Sequence, residues 1–231
     1  MMITILRPET RILTVGAPGL SVRGALATGG NWWEASGATA VVAYQAKGAG
    51  SYAASLVNLA NPGTHDLIEG NAPDWDAATG WRFIPANGDY LTSCNHNLAP
   101  YFVVRYAGAA AADRDVVGCR LQPNLVGIRP NFASYSWAAN GSISVYDNVY
   151  RWNPATTTGV VAMRDKKVWV NGTLKLTFAN SMVPVSKAMR IGGTNGDYRV
   201  TVFDGYILAY AGYTTITEDQ MLAVSAAMAA L

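Results

Sequence analysis

The stretch KVWVNGTLKLTF, residues 167–178, decides how this chain folds. Val168 and Val170 alternate with their neighbours before its midpoint, and Leu174 and Leu176 do so after it. Period-two alternation is the mark of a strand with one buried face. The two runs meet at Asn171-Gly172. A two-residue hairpin turn that matches the twist of its strands needs positive φ at both central positions, and Asn-Gly meets that need at least cost. The stretch therefore predicts a β-hairpin, and a hairpin needs a larger sheet to be stable.

Outward from it, short apolar runs recur between turn residues: ITIL, RILTV, ATAVVAY, YFVVRYA, DVVGCRL, SISVYD, GVVAMRD and YRVTVFDGYILAY. Their length and Val/Tyr/Phe content predict strands, and the Gly, Asn and Pro between them predict turns. GGTNGDY at 192–198 is a second turn signal. In the strand that follows, Val200, Val202, Tyr206, Leu208 and Tyr210 fall at period two, with a bulge expected at Asp204-Gly205. The rhythm then changes. Thr217 with Gln220 three residues on forms a capping box, and Met221, Val224, Met228 and Leu231 recur at helical spacing, so a helix is expected over about 217–229. Residues 45–80 hold no sustained period and predict a structured loop region, with a helical turn around Ala53 to Asn58.

Composition narrows the classes. Charged residues are 14% of the 231 and the formal charge is +2, with no basic run, so neither nucleic acid nor a membrane surface is implied as partner. No apolar run reaches the length of a membrane span. Scarce charge also fits a surface partly covered by neighbouring subunits, since interface cores are poor in charge. Arg7 and Glu9 stand where a secretory signal would carry its apolar region. Cys94 and Cys119 match no zinc or redox spacing and read as free, buried thiols.

The C-terminal third resembles the concanavalin A-like jelly roll, in particular the laminin-G-like domains of phage and bacterial surface proteins. Four elements carry the resemblance in order: the hairpin at Val168–Leu174, the turn Ile191-Gly192-Gly193, the strand Phe203–Tyr210 and the helix opening Thr217–Leu222. The segment DWDAATGWRF…GDYLTS, residues 74–93, is similar to the strand entry of phage-type members. The expected fold is an all-β antiparallel sandwich whose C-terminal helix covers an open end, with residues 31–231 as the jelly-roll domain and residues 1–30 as an N-terminal strand or arm.

Function is less legible. The family includes glycosidases, which need two flanking carboxylates. Glu9, Glu34, Glu69 and Glu218 are the only glutamates, and none lies near another. Asp74 and Asp76 read as turn acids between Pro73 and AATG. His65 in NPGTHD and His96 in SCNHNL belong to no triad, dyad or zinc motif, so no catalytic residues, metal or cofactor are expected. Asp74, Asp76, Asp113, Asp115 and Asp147 have calcium chemistry without ligand spacing. Aromatics are the remaining clue to a ligand, because sugar rings stack on Trp and Tyr. Candidates are Trp32 and Trp33 (one facing in and one out if extended), Tyr135 and Trp137 on one strand face, and Trp152 in a turn beside Arg151. Core packing is the plain alternative for all of them. Asn140-Gly141-Ser142 and Asn171-Gly172-Thr173 match a glycosylation sequon but are sufficiently explained as Asn-Gly turns.

The resemblance then implies a non-enzymatic structural protein of a virus particle, a capsid decoration or tail component. It would sit on the virion surface as a homo-oligomer with other virion proteins, and leave the cell by lysis. The alternative is a glycan-binding adhesion module acting outside the cell, with a host-surface glycan as partner. A subunit of an extracellular filament or surface layer is a third reading.

Overall fold

The hairpin forms as its sequence predicts. Val170 pairs with Thr173 across Asn171 and Gly172, whose φ angles are 51° and 75°. The turn is also fastened sideways: Asn171 Oδ1 accepts from the Val160 amide at 2.8 Å, and the Asn171 amide donates to the Val160 carbonyl at 2.8 Å. These contacts come from a computed structural model that describes residues 31–110, 114–121, 124–132, 140–145, 148–152, 155–178, 184–194 and 201–231. The expected N-terminal arm at 1–30 lies outside the described residues.

Two antiparallel sheets face each other. The eight-stranded sheet runs Thr173–Thr177, Lys167–Val170, Gly159–Arg164, Tyr101–Ala107, Gly205–Tyr213, Gly80–Phe83 and Asp74–Asp76, and Val42–Gln45 also pairs with Gly205–Tyr213. The seven-stranded sheet runs Asn148–Trp152, Asn140–Val145, Asn124–Phe132, Val117–Leu121, Ala188–Ile191, Leu91–Asn95 and Ile68–Glu69. A two-stranded ribbon joins Gly193–Thr194 to Thr201–Val202. This is the antiparallel β-sandwich that the strand patterns predict, with a C-terminal helix at Glu218–Ala229. The capping box is present: Gln220 N donates to Thr217 Oγ1 at 3.2 Å, and Thr217 N donates to Gln220 Oε1 at 2.9 Å.

Alternation divides the apolar residues between two cores. Phe102, Val104, Val161, Met163, Val168, Val170 and Tyr44 point between the sheets, where Val117, Cys119, Val126, Ile128, Met189 and Ile191 meet them. Their neighbours Val103, Val160, Ala162, Trp169 and Ala43 point the other way, toward Met221, Val224 and Met228 of the helix. The helix thus does not close an open end of the sandwich, as the sequence reading expects. It lies on the outer face of the eight-stranded sheet, because that face is apolar as well. Ala43, Ala162, Ala209 and Ala211 are small, so the helix can settle close to the sheet.

The long strand Gly205–Tyr213 departs from its expected phase. The chain breaks at Asp204-Gly205 between the ribbon and the sheet, and the register shift comes later, between Ile207 and Ala209. An extra residue there swaps faces. Ile207 and Tyr210 therefore both enter the inter-sheet core while Tyr206 stays outside it, beneath the Arg82 guanidinium at 5.3 Å.

The irregular region after Gln45 is ordered around one side chain. Asn58, fully buried, accepts from the Ala43 amide at 2.9 Å and donates to the carbonyls of Val41 and Thr64 at 3.1 and 2.7 Å. The helical turn within it is Tyr52–Ser55, capped by Ser51, one residue ahead of its expected start. Cys94 and Cys119 are free and buried in the inter-sheet core, where burial pushes the Cys119 thiol up to about 12.

Candidate functional site

With the helix on one sheet, the candidate ligand face is the outer face of the seven-stranded sheet, part of which the two-stranded ribbon covers. Because Val117, Cys119, Val126, Ile128, Met189 and Ile191 face the core, Gly118, Gly127, Arg129 and Arg190 occupy the opposite face. Backbone register carries a single row across all seven strands there: Val149, Ser144, Gly127, Gly118, Arg190, Thr92 and Ile68. The two glycines open the middle of the row. A Cβ at Gly127 would stand 2.6 Å from Asp115 Oδ1, and one at Gly118 would stand 2.9 Å from Thr194 Oγ1. Glycine inside a strand often marks such a close approach.

Asp115 fills that space. Its Oδ1 accepts from Arg129 Nε at 2.9 Å, and its Oδ2 accepts from Thr201 Oγ1 at 2.6 Å and from Thr194 Oγ1. Asp115 and Arg129 are 1% and 7% exposed, and the ribbon that supplies the two threonines covers them. A buried ion pair held by further hydrogen bonds is retained for position more readily than for stability. Here it anchors the ribbon to the sheet.

Beside it in the row, Arg190 has a different setting. Its guanidinium carbon lies 3.7 Å from the centroid of the Tyr90 ring, a close cation–π contact. The ring lies against Gly70, where a Cβ would overlap it at 1.9 Å. Arg190 Nε is buried and has no hydrogen-bond partner among the described residues. Burial pushes the guanidinium pKa down, and the Tyr90 phenol acts the other way.

The residues singled out from sequence fall elsewhere. Trp32 and Trp33 lie in a 3-10 helix, Trp32–Gly37, and not in a strand; both are buried, at 8% and 7% exposure, with their rings edge to face at 5.4 Å. That local winding turns both indoles toward the helix-covered core, where the expected in–out split does not arise. Trp32 Nε1 donates to Gln45 Oε1 at 2.9 Å. Arg151 and Trp152 end a strand where a turn is expected; Arg151 pairs with Ser142, which in turn pairs with Arg129, one row along from the Arg190 row. Tyr135 and Trp137 lie outside the described residues, as do Asp113 and Asp147.

The acids are dispersed or engaged. Asp74–Asp76 is a short edge strand and not only a turn, with Asp74 opposite Arg82, and Asp76 Oδ1 caps the turn by accepting from the Ala78 amide at 2.8 Å. Asp204 pairs with Arg82 at 2.8 Å. Asp89, buried, accepts from the Ile84 amide at 2.9 Å, and burial raises its pKa. Among the described residues no group of three acids, histidines or cysteines is placed to hold a metal. His65 takes a positive φ of 60° in its turn. His96 is fully buried, with Nδ1 accepting from the Val185 amide at 3.0 Å and Nε2 without a hydrogen-bond partner among the described residues; burial lowers its pKa to about 4, against an opposing contribution from the Pro100 carbonyl.

Sequence reasoning weighed Asp115 for calcium alone and passed over Arg129 and Arg190 as site residues. Two signals were present: AMRI places Arg190 opposite Met189 and Ile191 by alternation, and Gly118 and Gly127 interrupt strands that need no glycine.

No protein-family model and no curated protein matches this sequence. Solved structures do share its fold. Domain 4 of AbnA, an extracellular GH43 arabinanase of Geobacillus stearothermophilus determined with arabinotriose, superimposes with a TM-score of 0.51 at 11% identity, covering 81% of this chain and 98% of that domain. A Trypanosoma rangeli sialidase determined with sialic acid gives 0.50 at 14% identity, covering 82% of this chain. This chain spans about a third of that sialidase's length, at 33%. The protein thus shares the jelly-roll β-sandwich fold of these structures.

Proposed function

We propose that the protein is a glycan-binding module and that the outer face of its seven-stranded sheet is the binding face. One observation carries the reading. The eight-stranded sheet buries its outer face under an apolar helix, whereas the row across the other sheet carries glycine, serine, threonine and arginine around a buried Asp115–Arg129 pair. Ordered polar groups on a rigid sheet are what a polyhydroxyl ligand requires, since specificity comes from a few fixed hydrogen-bonding groups. The sharing of the fold with an arabinanase domain crystallised with arabinotriose agrees with this, as does an extracellular setting. On this reading the module binds without hydrolysing: Asp115, the acid within this face, is held by Arg129 and Thr201, and glycoside hydrolysis needs two available flanking carboxylates.

Screening the chain on an oligosaccharide array, followed by titration of each hit, tests the reading. Binding to at least one oligosaccharide, lost on filling the row through Thr92→Trp, is the expected result. An array without hits, or hits indifferent to Thr92, overturns it.

The reading of a virus-particle subunit retains one observation. The edge strand Thr173–Thr177 leaves Leu174 45% exposed, an apolar side chain on an edge that no other described strand pairs with. A subunit of an assembly can also bind glycans, so the two readings are compatible. We take residues 31–231 as one domain and residues 1–30 as an appended segment.

A further inference from the structure

The geometry points to Arg190 as the receptor for an oxyanion, the carboxylate or sulfate of an acidic sugar. This inference rests on the glycan-binding reading and names its ligand class. Arginine presents a planar fork of donors matched to a carboxylate or sulfate, and its worth lies in that fork being held still. Here the fork is held. The guanidinium is stacked 3.7 Å above the Tyr90 ring, and the ring is set against Gly70. Two backbone bonds fix the segment that carries it: Gly70 N donates to the Tyr90 carbonyl at 3.1 Å, and Tyr90 N donates to the Asn71 carbonyl at 3.0 Å.

The fork is also unspent. Among the arginines whose side chains are described, Arg82 has Asp204, Arg129 has Asp115, Arg105 has the Met228 carbonyl, Arg114 has the Val202 carbonyl and Arg164 has the Ile216 carbonyl. Arg190 has none among the described residues, and its Nε is buried. A cation stripped of water on one side and given no counter-charge is costly unless an anion completes it. A stacked aromatic offsets part of that cost but supplies no acceptor.

Its neighbours suit a sugar as the carrier. Thr92 is directly opposite Arg190 in the row and partly exposed, and it offers a hydroxyl. Ile68 follows in the same row and is 69% exposed, an apolar contact for the C–H face of a ring. Nothing in the chain argues for a polyanion such as nucleic acid, because the formal charge is only +2 and no basic run accompanies Arg190.

The test is a titration of the full chain followed through the side-chain Nε–H signal of Arg190 by nitrogen-15 NMR. The probes are sodium glucuronate, glucose 6-sulfate and glucose, and the proteins are wild type, Arg190→Gln and Arg190→Lys. Glucuronate or glucose 6-sulfate should move the Arg190 signal and bind at least tenfold more tightly than glucose; which of the two binds distinguishes carboxylate from sulfate. Arg190→Gln should erase that preference and Arg190→Lys should keep a fraction of it, with unchanged folding by circular dichroism in both. Equal affinity for the three probes, or a preference that survives Arg190→Gln, overturns the inference. If neutral oligosaccharides bind and Arg190→Gln leaves them untouched, the inference fails while the glycan-binding reading stands. If the acidic probes bind at Arg190 and no oligosaccharide does, the oxyanion site stands and the glycan-binding reading fails.

Discussion

Asp115 shows what a single buried charge does in this fold. With Arg129 and two threonines it forms a closed set of hydrogen bonds beneath the ribbon. Removing one partner of such a pair leaves the other charge uncompensated, so Asp115→Ala should cost about 3–5 kcal/mol. Urea denaturation monitored by fluorescence would measure it; a loss under about 1 kcal/mol, the range of an exposed pair, would mean the pair is solvated. His96 makes a second prediction at this scale. Its folded pKa, about 4, lies below its ordinary value of 6.5. A group whose pKa is lowered for want of solvation stabilises the fold in its neutral form. The contribution is complete above pH 6.5 and is lost as pH falls from 6.5 toward 4, by about 3 kcal/mol over that window. Urea midpoints at pH 7 and pH 4.5 should differ more for wild type than for His96→Gln. Equal differences would place His96 in contact with water.

Hairpin and helix set the next scale. Asn171 has both a positive φ and a side-chain bond to the neighbouring strand, two roles that alanine cannot take. Asn171→Ala should therefore cost about 2 kcal/mol, combining backbone strain with a lost hydrogen bond. Gly172 at φ 75° has open space around it, so Gly172→Val would be strained by conformation and not by crowding. The helix is held by its stripe. Met221, Val224 and Met228 are each 0% exposed against the outer face of the eight-stranded sheet, and Met228→Asp should lower stability by several kcal/mol. Thermal melting of the three variants decides these points, and a wild-type melting temperature for any of them would displace the element it belongs to.

At the scale of the molecule, the described residues of both cores lie within 31–231, which we take as the folding unit. A chain beginning at Asn31 should keep the cooperative thermal transition of the full chain. Its mass in solution, set against that of the full chain, bears on the assembly reading: a change of oligomeric state on removing 1–30 supports the arm, and identical monomers argue against it. The asymmetry between the outer faces matters more for function. One sheet is sealed by a helix over alanines; the other presents polar residues and an arginine to which the described residues give no oxygen partner. The part of that second face beside the ribbon is the surface proposed for a ligand.

How much of this was legible without coordinates follows from the range of each interaction. KVWVNGTLKLTF implied its hairpin, and Thr217 with Gln220 implied the start of the helix, because turn dihedrals and caps are settled within three or four residues. Alternation placed the strands for the same reason. The bulge at Leu208 was not legible, since it is set by pairing with two partner strands at once, Gly80–Phe83 and Val42–Gln45. Nor was the burial of Trp32 and Trp33 together, which depends on a helix some two hundred residues further along the chain. The candidate site belongs to this second kind. Tyr90, Asp115, Arg129, Arg190 and Thr201 sit far apart in sequence and adjacent in space. Local chemistry fixed which strands and turns this protein has; only the stacking of seven strands decided that an arginine would be held over a tyrosine with its donors unspent.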